Sequence, residues 1–127
     1  MNGFIRASTG LLGLVALALV AVIWLDPDGS APKFGLSLSG DIGRAAIRAD
    51  IAGLFLALGI LSLLAAIYQN ADHAKYALIL TAAVLIGRTI NFLTSGMLMN
   101  LLPPIGIELV MMAIFYAGIR VWKVNNA

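Results

Sequence analysis

The sequence has no cysteine, a single histidine and few charged residues, and each shortage closes off a class of function. Without cysteine there is no disulfide, no thiol nucleophile and no iron–sulfur cluster, and the redox compartment stays undetermined. His73 stands in a short polar stretch with no second ligand near it in sequence, so no metal and no cofactor is expected. The basic residues are scattered singly, without a run of Lys or Arg, which argues against a nucleic-acid partner despite a pI near 9.3. Charged residues make up 11% of the chain, well under the roughly one quarter usual in soluble domains. No nucleophile–base pair, metal constellation or phosphate loop stands out, so the chain is not expected to be an enzyme.

What fills the sequence instead is hydrocarbon. The chain is 61% hydrophobic with a mean hydropathy of +1.01. The apolar residues fall into four blocks, about 7–25, 46–68, 76–95 and 105–122. A block of about 20 such residues is long enough to cross a bilayer as a helix. The expected fold is therefore all-α: one integral membrane domain over 1–127, a four-helix transmembrane bundle with antiparallel neighbours. The first block, behind Arg6, has the make-up of a signal peptide but ends in bulky Ile23, Trp24 and Leu25, so it is read as an uncleaved helix.

The breaks between blocks carry turn chemistry. "DPDGSAP" (26–32) ends the first helix. The polar stretch 33–50 is expected to hold a short interfacial helix, N-capped by Asp41 and starting near Ile42, with Asp41, Arg44 and Arg48 on one face. "QNADHAK" (69–75) is a short connection, and Pro104 suits the first turn of the fourth helix. Basic residues near the helix ends set orientation: Arg6, Lys75, Arg120 and Lys123 on one side outnumber Lys33, Arg44 and Arg48 on the other. Both termini are accordingly expected in the cytoplasm. Trp24, Tyr68, Tyr76 and Trp122 fall at block ends, where an aromatic belt would sit.

Three charged residues interrupt the oil. Counting 1.5 Å per residue from the outer helix ends puts Arg88 about 12 Å deep, and Glu108 and Asp50 about 7–8 Å deep. All three lie in the outer third of the membrane, with Arg48 slightly above and Asn91 between Arg88 and the surface. Thr81, Arg88, Asn91 and Ser95 form one helical stripe, which should face the bundle interior. A two-pronged pair between Arg88 and Glu108, with Asp50 as second acceptor, is the obvious arrangement. The depth difference of about 4–5 Å leaves room for water or an anionic ligand between them. Ala49, Gly53, Ala57 and Ala65 form a small-residue stripe on the second helix, and Gly10, Gly13 and Gly87 mark further close helix contacts. Met97, Met99, Met111 and Met112 are read as adaptable packing, since no His or Cys accompanies them as a copper site would need.

"IRADIAG" (47–53), "LIGRTI" (85–90) and "GIELV" (106–110) resemble the bacterial family catalogued as domain of unknown function 4345, over about Leu12 to Val121. The resemblance implies a small four-helix protein of the inner membrane. It carries over Arg48, Gly53, Gly87, Arg88 and Glu108 as family positions. Ile51 and Ala52 stand where that family has tyrosine and glycine, and Asp50 and Asn91 are particular to this chain. The family brings no activity with it. Three functions remain open on the sequence: binding of a lipid or hydrophobic small molecule beside the charged layer, an accessory or assembly subunit of a larger membrane complex, and a small proton- or ion-coupled transporter acting as a homo-oligomer.

Overall fold

The computed structural model describes residues 1–96 and 102–125, and among these every extended element is helical. Helix α1 spans Asn2–Leu25; a short α2 spans Pro27–Ser30 and runs into a 3₁₀ turn, Ala31–Phe34. Then come α3 (Gly40–Ala46), a π-helical turn (Ile47–Ile51), α4 (Ala52–Tyr68), α5 (Ala71–Ser95) and α6 (Leu102–Asn125). Four of the helical runs, including Gly40–Tyr68 taken as one, are long and apolar enough to cross a membrane.

The ends of these helices follow local chemistry. Asp26 caps α2 by accepting from the Gly29 N–H at 2.9 Å, with Pro27 in the first turn where a missing N–H costs nothing. Asn70 caps α5 by accepting from the N–H groups of Asp72 and His73. This cap begins α5 five residues earlier than the apolar pattern indicates and reduces the expected 69–75 connection to Gln69 and Asn70. Gln69 takes the left-handed conformation that ends α4, with φ of 49°. The anticipated Asp41 cap is not formed. The helix starts two residues earlier, at Gly40 after Ser39, and Asp41 pairs with Arg44 at 3.0 Å inside the first turn. Arg44 also reaches Asp28 at 2.9 Å, tying α3 to α2 through exposed ion pairs. The expected separate interfacial element is therefore continuous with the second long helix.

Contacts between α1 and α4 run in opposite senses along the two chains. Asn2 meets Gln69, Arg6 meets Ala66, a Cβ on Gly13 would touch Leu63, and Trp24 meets Arg48. The close approach is at Gly13 and Gly59. A Cβ on Gly13 would lie 3.0 Å from the Gly59 carbonyl oxygen, and one on Gly59 would lie 2.8 Å from Leu17 Cδ2. The small-residue stripe read from the sequence is out of phase with this contact. Gly53 and Gly87 face open space, Ala49 and Ala57 are exposed, and Ala65 alone of its stripe is fully buried. Helical geometry supplies the reason: each step of four turns about 40° past a full circle, so the stripe drifts away from the buried arc between Ala65 and Gly53. Gly10 makes only ordinary contact, 3.6 Å from Ala66 Cβ.

The core is divided along the bundle. At the end carrying the N-terminus, Ile5, Ala65, Ala74 and Trp122 pack together; at mid-height, Leu58, Ala77 and Phe115 pack with Leu12 and Met111. Both clusters draw on α1, α4, α5 and α6. At the opposite end, Val20, Ile23, Ala31, Ile47 and Ala52 cluster with Phe34, Leu38 and Phe55, and among the described residues none of α5 or α6 joins them. Four helices thus share one core through the lower two thirds, and α5 with α6 stands apart at the far end. Trp122 is completely buried, its indole N–H donating to Asn2 Oδ1 at 2.9 Å while Asn2 donates to Gln69 at 2.8 Å. That removes Trp122 from the expected aromatic belt, because an indole needs a partner when buried and finds one here. Trp24, Tyr68 and Tyr76 remain exposed as a belt requires.

Candidate functional site

The region where α5 and α6 stand apart from the other helices is held by one ion pair. Arg88 Nε donates to Glu108 Oε1 at 2.6 Å. Arg88 lies in the second half of α5, beyond its last fully buried residue, Thr81. Glu108 lies two turns into α6. The arginine stem crosses the depth difference expected from helical rise, so the pair closes directly.

The pairing is one-pronged, unlike the two-pronged fork anticipated. Glu108 Oε2 is buried with no hydrogen-bond partner among the described residues. The two Nη groups of Arg88 likewise make no hydrogen bond among the described residues. The partners differ in exposure: the Glu108 side chain is 9% exposed and the Arg88 side chain 36%. The carboxylate is thus inside the α5–α6 packing, and the guanidinium reaches its edge. A buried, unsatisfied charged oxygen is expensive, and native structures hold very few of them. Among the described residues this oxygen is the strongest unmet demand for a donor. Two other orphaned atoms, Thr9 Oγ1 and His73 Nδ1, belong to neutral groups.

The remaining sequence-based candidates go elsewhere. Asp50 is exposed on the π turn and forms no ion pair among the described residues, so it is not the second acceptor. Position 50 lies two residues before fully buried Ala52, and residues two apart on a helix do not share a face. Arg48, on the same turn, donates from Nε to the Trp24 carbonyl at 3.2 Å, while the Trp24 indole N–H donates to the Arg48 carbonyl at 3.1 Å. A π turn interrupts the regular carbonyl ladder, and here the freed carbonyl finds its donor on α1. Arg48 is a brace between α1 and the second long helix and has no part in the Arg88–Glu108 pair.

The α5 stripe points inward only in part. Thr81 is buried and returns its hydroxyl to the Ala77 carbonyl at 2.9 Å. Asn91 and Ser95 are exposed, because α5 has no core to face at that end. The Asn91 carbonyl accepts from the Thr94 and Ser95 hydroxyls, and its side chain makes no hydrogen bond among the described residues. Met111 packs in the mid-height cluster; Met97 and Met99 lie outside the described residues. Among the described residues no three His, Cys, Asp or Glu side chains converge to hold a metal.

Two open hollows lie at the other end of the bundle, one beside Arg6 and one between Tyr68, Lys75 and Lys123, and neither touches Arg88 or Glu108. Sequence reasoning did not find the Asn2–Gln69–Trp122 network at that end. Its trace was a polar residue at each of three helix ends.

No family profile, curated protein or solved structure matches this chain, so the site's meaning has to be argued from its own geometry.

Proposed function

We propose that the chain is a transmembrane four-helix bundle with antiparallel neighbours, set in a bacterial inner membrane with both termini in the cytoplasm. In this reading it is non-enzymatic and holds a membrane lipid, or another amphiphile of that kind, against the Arg88–Glu108 pair. One observation carries the proposal: among the described residues, a buried carboxylate oxygen has no donor and the guanidinium beside it has no acceptor for its outer nitrogens. Ionisable groups at membrane depth are costly and mark sites of function by default. A helix pair that needed only a clasp would close both prongs, because the second hydrogen bond comes at no further cost in side-chain entropy. Exposed Ile86, Ile90, Leu93, Ile107 and Val110, at the same level on α5 and α6, suit acyl chains.

The test is gentle extraction followed by native mass spectrometry, comparing wild type with the double variant Arg88→Leu/Glu108→Leu. Removing both charges leaves no orphaned partner, so the variant should fold. The reading expects a discrete lipid mass on wild type that is missing from the folded variant. Equal lipid on both proteins, or none on either, would refute it.

A second reading is favoured by the sparse burial of α5 and α6, the least buried of the four long helices: an accessory subunit covering those faces with a larger membrane complex. Gly53 and Ala57 no longer serve to test the bundle's own packing, but they do test docking. They lie in open space or on the surface, so Gly53→Leu should leave the fold intact and release only an external partner.

A further inference from the structure

The donor and acceptor vacancies of the pair specify more than a lipid; we infer that they specify a zwitterionic phospholipid whose head group carries a primary ammonium, the ethanolamine class. This inference rests on the lipid-binding reading above and narrows it to one chemistry.

The two halves of the site ask for opposite things. Arg88 is engaged only through Nε, which leaves Nη1 and Nη2 with donors and no acceptor among the described residues. Paired N–H groups on a planar fork match two oxygens of a phosphate. Glu108 Oε2, buried and unpartnered, asks for a donor, and a charged N–H donor satisfies a carboxylate best. Phosphate and ammonium in an ethanolamine head group are joined by a two-carbon bridge. One molecule can therefore address both groups, which are already fixed side by side by the 2.6 Å Nε–Oε1 contact. Oε2 is buried, so the ammonium reaches it by turning the carboxylate about its last torsion, with Arg88 Nε passing from Oε1 to the lipid phosphate.

Charge selects among common head groups. Arg88 and Glu108 together are neutral, and the site lies inside apolar helices where an unbalanced charge is poorly screened. A glycerol phosphate head group would leave one net negative charge there. A choline head group is neutral overall, yet its quaternary nitrogen has no N–H to give Oε2. Ethanolamine meets both conditions. The lipid source is also consistent with exposed Ile86, Ile90 and Ile107, which lie at the depth of the pair on other faces of α5 and α6 and which a free water-soluble phosphoamine would leave uncovered.

The experiment uses the full chain, delipidated in detergent and titrated with dioleoyl lipids that differ only at the head group: ethanolamine, its N-methyl and N,N-dimethyl forms, choline, and glycerol. Native mass spectrometry reads the bound fraction. The inference expects ethanolamine to bind about tenfold better than choline, the value of one charge-assisted hydrogen bond, with a step down as the N–H groups are lost. It further expects Glu108→Gln to reduce the ethanolamine-to-choline ratio to about twofold or less, as the charge on the acceptor disappears. The methylation series runs on unaltered protein, so it decides the question even where the variant is unstable. Equal binding of ethanolamine and choline lipids, or a preference for glycerol, would overturn the head-group inference and leave lipid binding standing. Binding of none of the five would overturn both, and so would phosphoethanolamine alone competing as well as the whole lipid.

Discussion

At the scale of single residues the decisive contrast is between two kinds of buried polar atom. Glu108 Oε2 is charged and unpartnered, while Oε1 of the same group is held at 2.6 Å. Removing Arg88 alone would leave the whole carboxylate uncompensated. We expect Arg88→Leu to lower stability by about 3 kcal/mol, and addition of Glu108→Leu to return most of that loss, as for buried ion pairs replaced by apolar residues. Unfolding in mixed micelles, followed by circular dichroism, would measure both. Thr9 offers the opposite case. Its hydroxyl is buried without a partner among the described residues, unlike Ser62 and Thr81, which return theirs to carbonyls one turn back. Thr9→Val removes an unsatisfied group at nearly constant volume and should raise stability by about 1 kcal/mol in the same assay.

At the scale of elements, glycines of one type in the sequence divide into two physical kinds. Gly13 and Gly59 lie where α1 and α4 touch backbone to backbone, and a Cβ on Gly13 would lie 2.9 Å from Leu63 Cγ. Gly53 and Gly87 have open space around the missing Cβ. Gly13→Ala should therefore cost about 1–3 kcal/mol through overpacking. Gly53→Ala and Gly87→Ala should instead stabilise their helices by up to about 1 kcal/mol. Thermal unfolding of the three variants side by side would check this. The sequence contains all four glycines, and spacing alone could not sort them. Which face of a helix is inside depends on phase: Gly53 lies six residues before Gly59 on α4, about 120° around the helix, and so off the face that meets α1. Asp50 and Arg48, both placed in the charged layer by depth, do not face it. The helix blocks themselves were legible, because long apolar runs need no phase to be recognised. Their ends were less so: the Asn70 cap at the start of α5 lay inside a stretch whose polar composition suggested loop.

At the scale of the whole molecule, the bundle is closed at one end and divided at the other. The Asn2–Gln69–Trp122 network and two shared core clusters bind four helices together near the termini. At the far end the core belongs to α1, α4 and the 27–38 segment, and Arg88–Glu108 holds α5 to α6 apart from it. Depth counting along the helices brought Arg88 and Glu108 to one level, and the structure joins them. It could not foresee the single prong, since the rotation of a carboxylate is set by packing and not by sequence. The lipid assignment rests on that single prong, and a distance tests it. Solid-state NMR on protein with nitrogen-labelled arginine in ethanolamine phospholipid bilayers would measure phosphorus–nitrogen dipolar contact, with Arg88→Leu/Glu108→Leu as the subtraction. Wild type should show a contact to guanidinium nitrogen that the double variant loses, beyond the contacts of arginines at the membrane surface. Identical phosphorus contacts in the two proteins would contradict it and make the pair a structural clasp.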